Sequence, residues 1–317
     1  MTGGSRRAVA LGGGTGMPVV LSCLVELGFR TTAVVTAADD GGSSGMLRRE
    51  LGILPPGDAR NCLIALAEPG NALAEVFRYR FPRGEGLAGH ALGNLIIAAL
   101  ADIEGGFAEA LAEAGELLRA RGRVLPSTLD DVALHAEDRS GRPLSGQANI
   151  ARSASAVSRV ALDPPSPRAY APAVEAIESA DAVVIGPGSL FTSIIPNVLV
   201  PGIVDALRRT RAKRLYVCNV ANQRGETAGM DAYGHVKALR EHGVDGALDA
   251  VLVNDAARLG RRLLQSDTEV DVVDAGRDVV ERIRREGVAV TVADVAAEDD
   301  CRHHSKAKLA RALEEVL

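Results

Sequence analysis

Short runs of small and β-branched apolar residues recur along the chain, each ending in glycine or a polar residue before a segment of helical spacing begins. Runs that are apolar throughout, rather than alternating, belong to strands buried on both faces, so the pattern predicts a parallel sheet covered by helices. The central strands expected are Arg7–Gly12, Thr31–Ala37, Ala182–Gly186, Arg214–Val220 and Ala250–Asn254, with Val270–Val273 and Val288–Val292 as weaker later members. The fold class is therefore α/β, a doubly wound Rossmann-like sheet. Ligands in such folds sit beyond the carboxyl ends of the strands, which places Gly12, Ala38, Gly186, Asn219 and Asn254 along one edge.

Two stretches interrupt the alternation. Residues 56–120 read as a helical insertion, and Ala91–Ala101 within it is apolar enough for a buried helix. Residues 122–165 carry the short β-like runs Arg123–Leu125, Val132–Ala136 and Val157–Leu162 broken by Asp, Ser, Gly and Pro, which suggests a small β extension or lid. Both belong to one domain over residues 1–317 in this reading.

Charge and composition narrow the partner. A net charge of −5 gives no basic surface for nucleic acid, and 3% aromatic residues offer no stacking platform for single strands. No apolar run reaches the roughly 18 residues of a membrane span, and the polar start runs straight into a core strand, so a cytoplasmic protein without membrane contact is expected. Cys23, Cys62, Cys218 and Cys301 form no paired motif. Cys301-Arg-His-His304 has metal-ligand residue types but no standard spacing, and reads as a charged helix entry. The apolar segment Val198–Leu207 suits either the core or an interface, and a homo-oligomer, most simply a dimer, is expected.

The chemistry begins at Gly12-Gly-Gly-Thr-Gly16, where a core strand opens into clustered glycines before a helix. Backbone N–H groups and the helix dipole there suit a phosphate, with the Thr15 hydroxyl as a further donor. Counting G-x-G-x-x-G from Gly12 puts Met17 in the third glycine place, which weighs against a nicotinamide cofactor, and no Gly-Lys-Ser/Thr makes a Walker loop. A second loop, Asp39-Asp-Gly-Gly-Ser-Ser-Gly45, follows the second strand: Asp39 and Asp40 are candidates for a sugar hydroxyl or a magnesium ion, with Gly42, Ser43 and Ser44 set at a helix start toward phosphate. A solvated capping loop is the plainer alternative.

Further along, Asp58 sits where it would cap a helix, while Arg60 and Asn61 in its first turn suit phosphate or sugar recognition. His90 and Asn94 open the buried-looking helix, His90 as a candidate acid or base or as a structural histidine. Gly186-Pro-Gly-Ser189 is a second strand-to-glycine turn, so Gly186, Gly188 and Ser189 make a second anion nest, and two nests suit a diphosphate. Asn219, with Asn222, Gln223 and Thr227 in the loop beyond it, could read a sugar or base.

Five of these motifs in order, Gly12–Gly16, Thr36–Gly45, Gly52–Asn61, Gly89–Asn94 and Gly186–Ser193, resemble the 2-phospho-L-lactate transferase (CofD-like) superfamily, and most closely its bacterial gluconeogenesis factor branch. The resemblance implies a Rossmann-like fold, a cytoplasmic protein that binds a UDP-sugar such as UDP-N-acetylglucosamine, and a role in cell shape and in growth on gluconeogenic carbon sources. The transferase branch moves a phospholactyl group from a guanine-nucleotide-activated donor onto a deazaflavin precursor with magnesium assisting, and its flavin-contacting aspartate corresponds to Asp58. This chain departs from that branch in its Asp-Asp-Gly-Gly-Ser-Ser loop, its Gly-Ile-Leu-Pro-Pro-Gly-Asp-Ala-Arg-Asn segment and its few aromatic residues. A nucleotide-sugar-binding protein is therefore the expected function. A magnesium-dependent phospholactyl or phosphoryl transferase, with Asp58, Asp40 and His90 as its candidate catalytic residues, is the alternative.

Overall fold

The computed structural model describes residues 5–153, 156–255 and 270–317. Seven parallel strands form the main sheet: β1 (Arg7–Gly12), β2 (Arg30–Val35), β3 (Gly122–Pro126), β7 (Ala182–Ile185), β8 (Lys213–Val217), β9 (Ala250–Asn254) and β10 (Ala289–Ala293). Their spatial order is β10-β9-β8-β7-β1-β2-β3. The chain thus builds outward from β1 in one direction and then returns to build outward from β7 in the other. The reversal falls between β1 and β7, whose backbones pair from Ala8↔Ala182 to Leu11↔Ile185.

Period-two alternation sorts the strand side chains onto two faces. Val9, Leu11, Val34, Val183, Ile185, Tyr216 and Val251 pack into one core, while Ala8, Ala10, Ala33, Val35, Val184, Leu215 and Leu252 pack into the other. Both sets are buried, which is why the strands read as continuous apolar runs rather than as alternating ones. Helices α1 (Met17–Glu26) and the C-terminal helix Lys306–Val316 cover the alanine-rich face, where small strand residues allow close approach.

Helix α2 (Gly42–Leu51) precedes the helical insertion, which comprises α3 (Gly57–Leu66), α4 (Ala72–Arg78), α5 (Leu92–Glu104) and α6 (Phe107–Leu117). Only one face of α5 is buried, through Gly93, Asn94, Ile97 and Ala98, and Ile103 near its end is 74% exposed. The segment Val198–Leu207 proves to be core: Val200, Ile203, Ala206 and Leu207 are fully buried.

Two expectations for strands are corrected. Arg123–Leu125 lies in the main sheet as part of β3, next to β2, rather than in the β extension, because it pairs in parallel register with Thr32–Val34. The Val270–Val273 run forms no strand of that sheet; Val272 makes a single antiparallel bridge to Ala221 instead. The extension itself is the three-stranded antiparallel sheet of β4 (Ala133–Asp138), β5 (Pro143–Ser145) and β6 (Val157–Asp163), with the short helix α7 (Gln147–Ala151) between β5 and β6 in the chain. No single described helix is long and apolar enough to cross a membrane.

Candidate functional site

At the point where the sheet reverses direction, the β1 and β7 strands end side by side in their glycine loops. These loops interlock: a methyl group on Gly188 would lie 2.6 Å from the Gly13 carbonyl oxygen, so only glycine lets the two backbones meet. The second loop is held from β8. Asn219 accepts from the Gly188 N–H at 3.1 Å and donates to the Gly188 carbonyl at 2.8 Å, so its amide clamps the backbone of one residue through both of its polar groups. Asn197 ties the first loop to the turn after the second, donating to the carbonyls of Gly12 at 3.0 Å and Ser193 at 2.8 Å. Below them the buried Glu226 accepts from Thr192 Oγ1 at 2.8 Å and the Phe191 N–H at 3.2 Å. Burial pushes the Glu226 carboxyl up, and those bonds pull it back.

The loops border a cleft of about 300 Å³ between Thr15, Gly16, Pro187, Gly188 and Asn219. Its far wall is Arg302, His303 and His304, residues that sequence reasoning set aside as a helix entry. They do lead into the C-terminal helix; the packing of that helix on α1 also brings them to the cleft, a long-range contact with no local signal. His304 is bonded through Nε2 to the Cys218 carbonyl at 3.2 Å, and burial lowers its pKa to about 4, so it presents a neutral ring. Arg302 is paired with Asp300 at 2.7 Å.

Asn219 and Asn222 both differ from their expected role. Asn219 spends its amide on Gly188, and Asn222 donates to the Met230 carbonyl at 2.9 Å and Asp271 Oδ1 at 3.1 Å while its Oδ1 meets His235 Nε2 at 3.1 Å. Both are framework groups, since a turn that leaves the sheet edge must satisfy its own backbone first. Gln223, also on the cleft wall, has a buried Oε1 without a partner among the described residues. Ser189 makes no capping bond with its side chain and stands half-buried beside the loop. Asn254 is turned inward: its Oδ1 accepts from the N–H groups of Val295 at 3.0 Å and Ala296 at 3.2 Å, which removes it from the open edge.

The acidic loop is also rearranged. Asp39 and Asp40 make separate hydrogen bonds: Asp40 Oδ1 accepts from the Ala148 N–H at 2.9 Å and anchors the β extension, while Asp39 Oδ1 accepts from the Gly41 N–H at 2.9 Å. The Asp39 charge reaches Asp58 as well. Helix α3 takes Pro56 as its capping residue, so Asp58 does not cap its own helix; it accepts the Gly14 N–H and sits beneath the first glycine loop. Burial, with the Asp39 charge adding to it, raises its carboxyl to about 7. Burial also raises Asp39.

Ser43, Ser44, His90 and Asn94 do not reach toward a phosphate. Ser43 Oγ contacts His90 Nδ1 at 3.1 Å and accepts from Asn94 Nδ2 at 3.0 Å, and Asn94 Oδ1 accepts from Arg60 at 3.0 Å. Ser44 Oγ accepts from the Gly57 N–H at 3.1 Å. The beginnings of α2, α3 and α5 converge here, and buried polar groups satisfy one another where water is excluded. His90 is thus held in a buried hydrogen-bonded group, and Gly42 lies exposed in the first turn of α2.

Arg60 and Asn61 open onto a second cleft, of about 540 Å³, on the other side of Thr15 between α1 and α3. Thr15, exposed on the crest, borders both clefts. What reads in the sequence as one ligand site is thus two adjoining hollows. Among the described residues no cluster of three or more His, Cys, Asp or Glu side chains is placed to enclose a metal ion.

Residues 8–296 match the family model of the 2-phospho-L-lactate transferase CofD. The chain is 40% identical over 313 residues to the gluconeogenesis factor of Halalkalibacterium halodurans, covering 97% of this chain and 95% of that one. It is 46% identical over 252 residues to the gluconeogenesis factor of Bacillus subtilis, covering 79% and 80% of the two chains. A crystal structure of a member of the UPF0052 family from Bacillus halodurans superposes with a TM-score of 0.88 at 38% identity, over 98% of this chain and 99% of that one.

Proposed function

The chain belongs to the 2-phospho-L-lactate transferase CofD family, and we propose that it binds a nucleotide-sugar of the UDP-N-acetylglucosamine kind in the first cleft. One observation carries this reading. Two interlocked glycine loops, fixed by Asn219 and Asn197, border one cleft at the point where the sheet reverses, and a preorganised backbone at such a point suits a diphosphate. Arg302 on the opposite wall adds positive charge, and Gln223 offers an acceptor to a sugar or base hydroxyl or N–H. In the cell the protein then acts in the cytoplasm as a ligand-responsive factor for normal shape and for growth on gluconeogenic carbon sources, the latter in keeping with the name its relatives carry.

A magnesium ion fits this reading. Such ions take one or two carboxylates and complete their shell with water and phosphate oxygens. Asp39 and Asp58, whose charges interact beside the first loop, are the carboxylates that would hold it, while Asp40 is turned toward the β extension through Ala148. When bound, magnesium would neutralise phosphate charge beside the first loop.

A second reading, a phospholactyl- or phosphoryl-type transferase, is favoured by Asp58 alone. Its carboxyl, raised to about 7, can hold or release a proton at neutral pH beneath the loop. Calorimetry with UDP-N-acetylglucosamine, UDP, GDP and NAD, with and without magnesium, followed by product analysis, separates the readings. Saturable heat with the UDP-sugar and unchanged ligand supports the binding protein. Consumption of a nucleotide-activated donor establishes the transferase, and no heat with any uridine nucleotide sinks the first reading.

A further inference from the structure

The second cleft has a composition the nucleotide reading does not use. Its walls combine Pro18, Val19 and Ile64 with three cations, Arg60, Arg78 and Lys306. Arg78 and Lys306 lie on the rim, each paired with a carboxylate of its own surface, Glu75 and Glu26. Exposed pairs of that kind are worth little, and a ligand can take their place. Arg60 is different: it is 8% exposed and forms no ion pair among the described residues. Its guanidinium donates to two neutral amides, Asn94 at 3.0 Å and Asn61 at 2.7 Å, and its Nε has no partner.

A buried charge is ordinarily paired, because desolvation costs several kcal/mol that neutral amides only partly return. The Asp58 carboxylate, whose charge reaches Arg60, accepts the Gly14 N–H and makes no ion pair with the guanidinium. Arg80 adds to the positive field around Arg60. The site therefore holds a buried cation with no ion-pair partner among the described residues, on the wall of a half-apolar hollow.

We propose that this cleft is a second ligand site, which takes a small molecule with a short apolar body and a terminal carboxylate or phosphate. The anion lies toward Arg60 between the rim cations Arg78 and Lys306, and the apolar body lies on Pro18, Val19 and Ile64. Thr15 and Val19 form the wall it shares with the first cleft, so the two ligands are held at once on either side of that wall, and the assignment stands whether or not the first cleft holds a nucleotide.

Titration of the intact chain with hexyl phosphate, hexanoate and hexanol, followed by calorimetry, tests this. One or both anions should saturate in the millimolar range while the alcohol does not, and the tighter anion identifies the terminal group. The double variant Arg78→Gln/Lys306→Gln, which removes exposed side chains only, should keep its melting temperature and weaken the anion roughly tenfold. Saturating UDP-N-acetylglucosamine should leave that affinity unchanged. The proposal is overturned if neither anion saturates, if the double variant binds as well as the parent, or if the UDP-sugar displaces the anion competitively. Absence of UDP-sugar binding would strike the nucleotide reading alone, since the variant comparison still decides this one.

Discussion

Asp58 occupies the space that a side chain at Gly13 would need: a methyl there would lie 2.2 Å from Asp58 Oδ2 and 3.3 Å from Ser193 Cβ. The first glycine loop therefore rests directly on the carboxylate that accepts the Gly14 N–H. Gly13→Ala should push the two apart, cost about 1–3 kcal/mol of stability and weaken nucleotide binding at least tenfold. Adding Asp58→Ala should return part of the stability, because it vacates the contested space. Additive losses in a denaturant-melt double-mutant cycle would show that the two residues are not in conflict.

Asn219 should matter through the loop it clamps rather than through the ligand. Asn219→Ala removes both bonds to the Gly188 backbone and leaves its N–H and carbonyl for water, at about 1–2 kcal/mol. Asn219→Asp keeps the acceptor for the Gly188 N–H and loses the donor. The expected order of nucleotide-sugar affinity is parent, then Asp, then Ala, measured by calorimetry; an alanine variant that binds like the parent would remove Asn219 from the site's framework.

The parts of this molecule legible in the sequence are those fixed by local chemistry. Continuous apolar runs announced the strands because both sheet faces are buried, and the glycine clusters announced the loops because each follows its strand directly. The strand order could be expected in kind, and with it the edge on which Gly12 and Gly186 meet. Partner choice was less legible. Asp40 looked like half of a carboxylate pair until Ala148, more than a hundred residues later, took its oxygen. Ser43, His90, Asn94 and Arg60 looked like four separate ligand candidates, yet three helix starts meeting in space join them into one chain of hydrogen bonds. Arg302 and His304 reach the cleft only because the C-terminal helix returns to α1, and nothing in Cys301–Ser305 encodes that return.

His235 gives the fold an acid-sensitive joint. It is fully buried between Tyr216 OH at 3.2 Å and Asn222 Oδ1 at 3.1 Å, and desolvation lowers its pKa from 6.5 to about 4. A histidine depressed in the folded state contributes its full stability above the unfolded value of 6.5 and loses it as pH falls toward 4. Between pH 7 and pH 5 the parent should lose about 2 kcal/mol from this group. His235→Gln should show a correspondingly flatter pH dependence in urea melts. A variant with the parent's slope would mean that His235 protonates as freely in the folded protein as in the unfolded one.

Asp58 makes the opposite demand. Its carboxyl is held at about 7 in the folded protein against the 3.8 of a free aspartate side chain, so the folded state tolerates the neutral form and resists ionisation. The stability this group contributes is full below 3.8, falls as pH rises through 7 and is constant above that. Asp58→Asn keeps an oxygen for the Gly14 N–H and removes the repulsion from Asp39, so it should match the parent near pH 4 and exceed it by about 1–3 kcal/mol at pH 8. A magnesium–nucleotide complex should reverse the ranking at pH 8: a cation between Asp39 and Asp58 would stabilise the parent, while the variant, with one carboxylate, would gain less. Melting temperatures of the two proteins at both pH values, with and without magnesium and UDP-N-acetylglucosamine, give all four comparisons. An equal gain on adding the complex would mean that Asp58 supports the glycine loop sterically and takes no part in holding a metal.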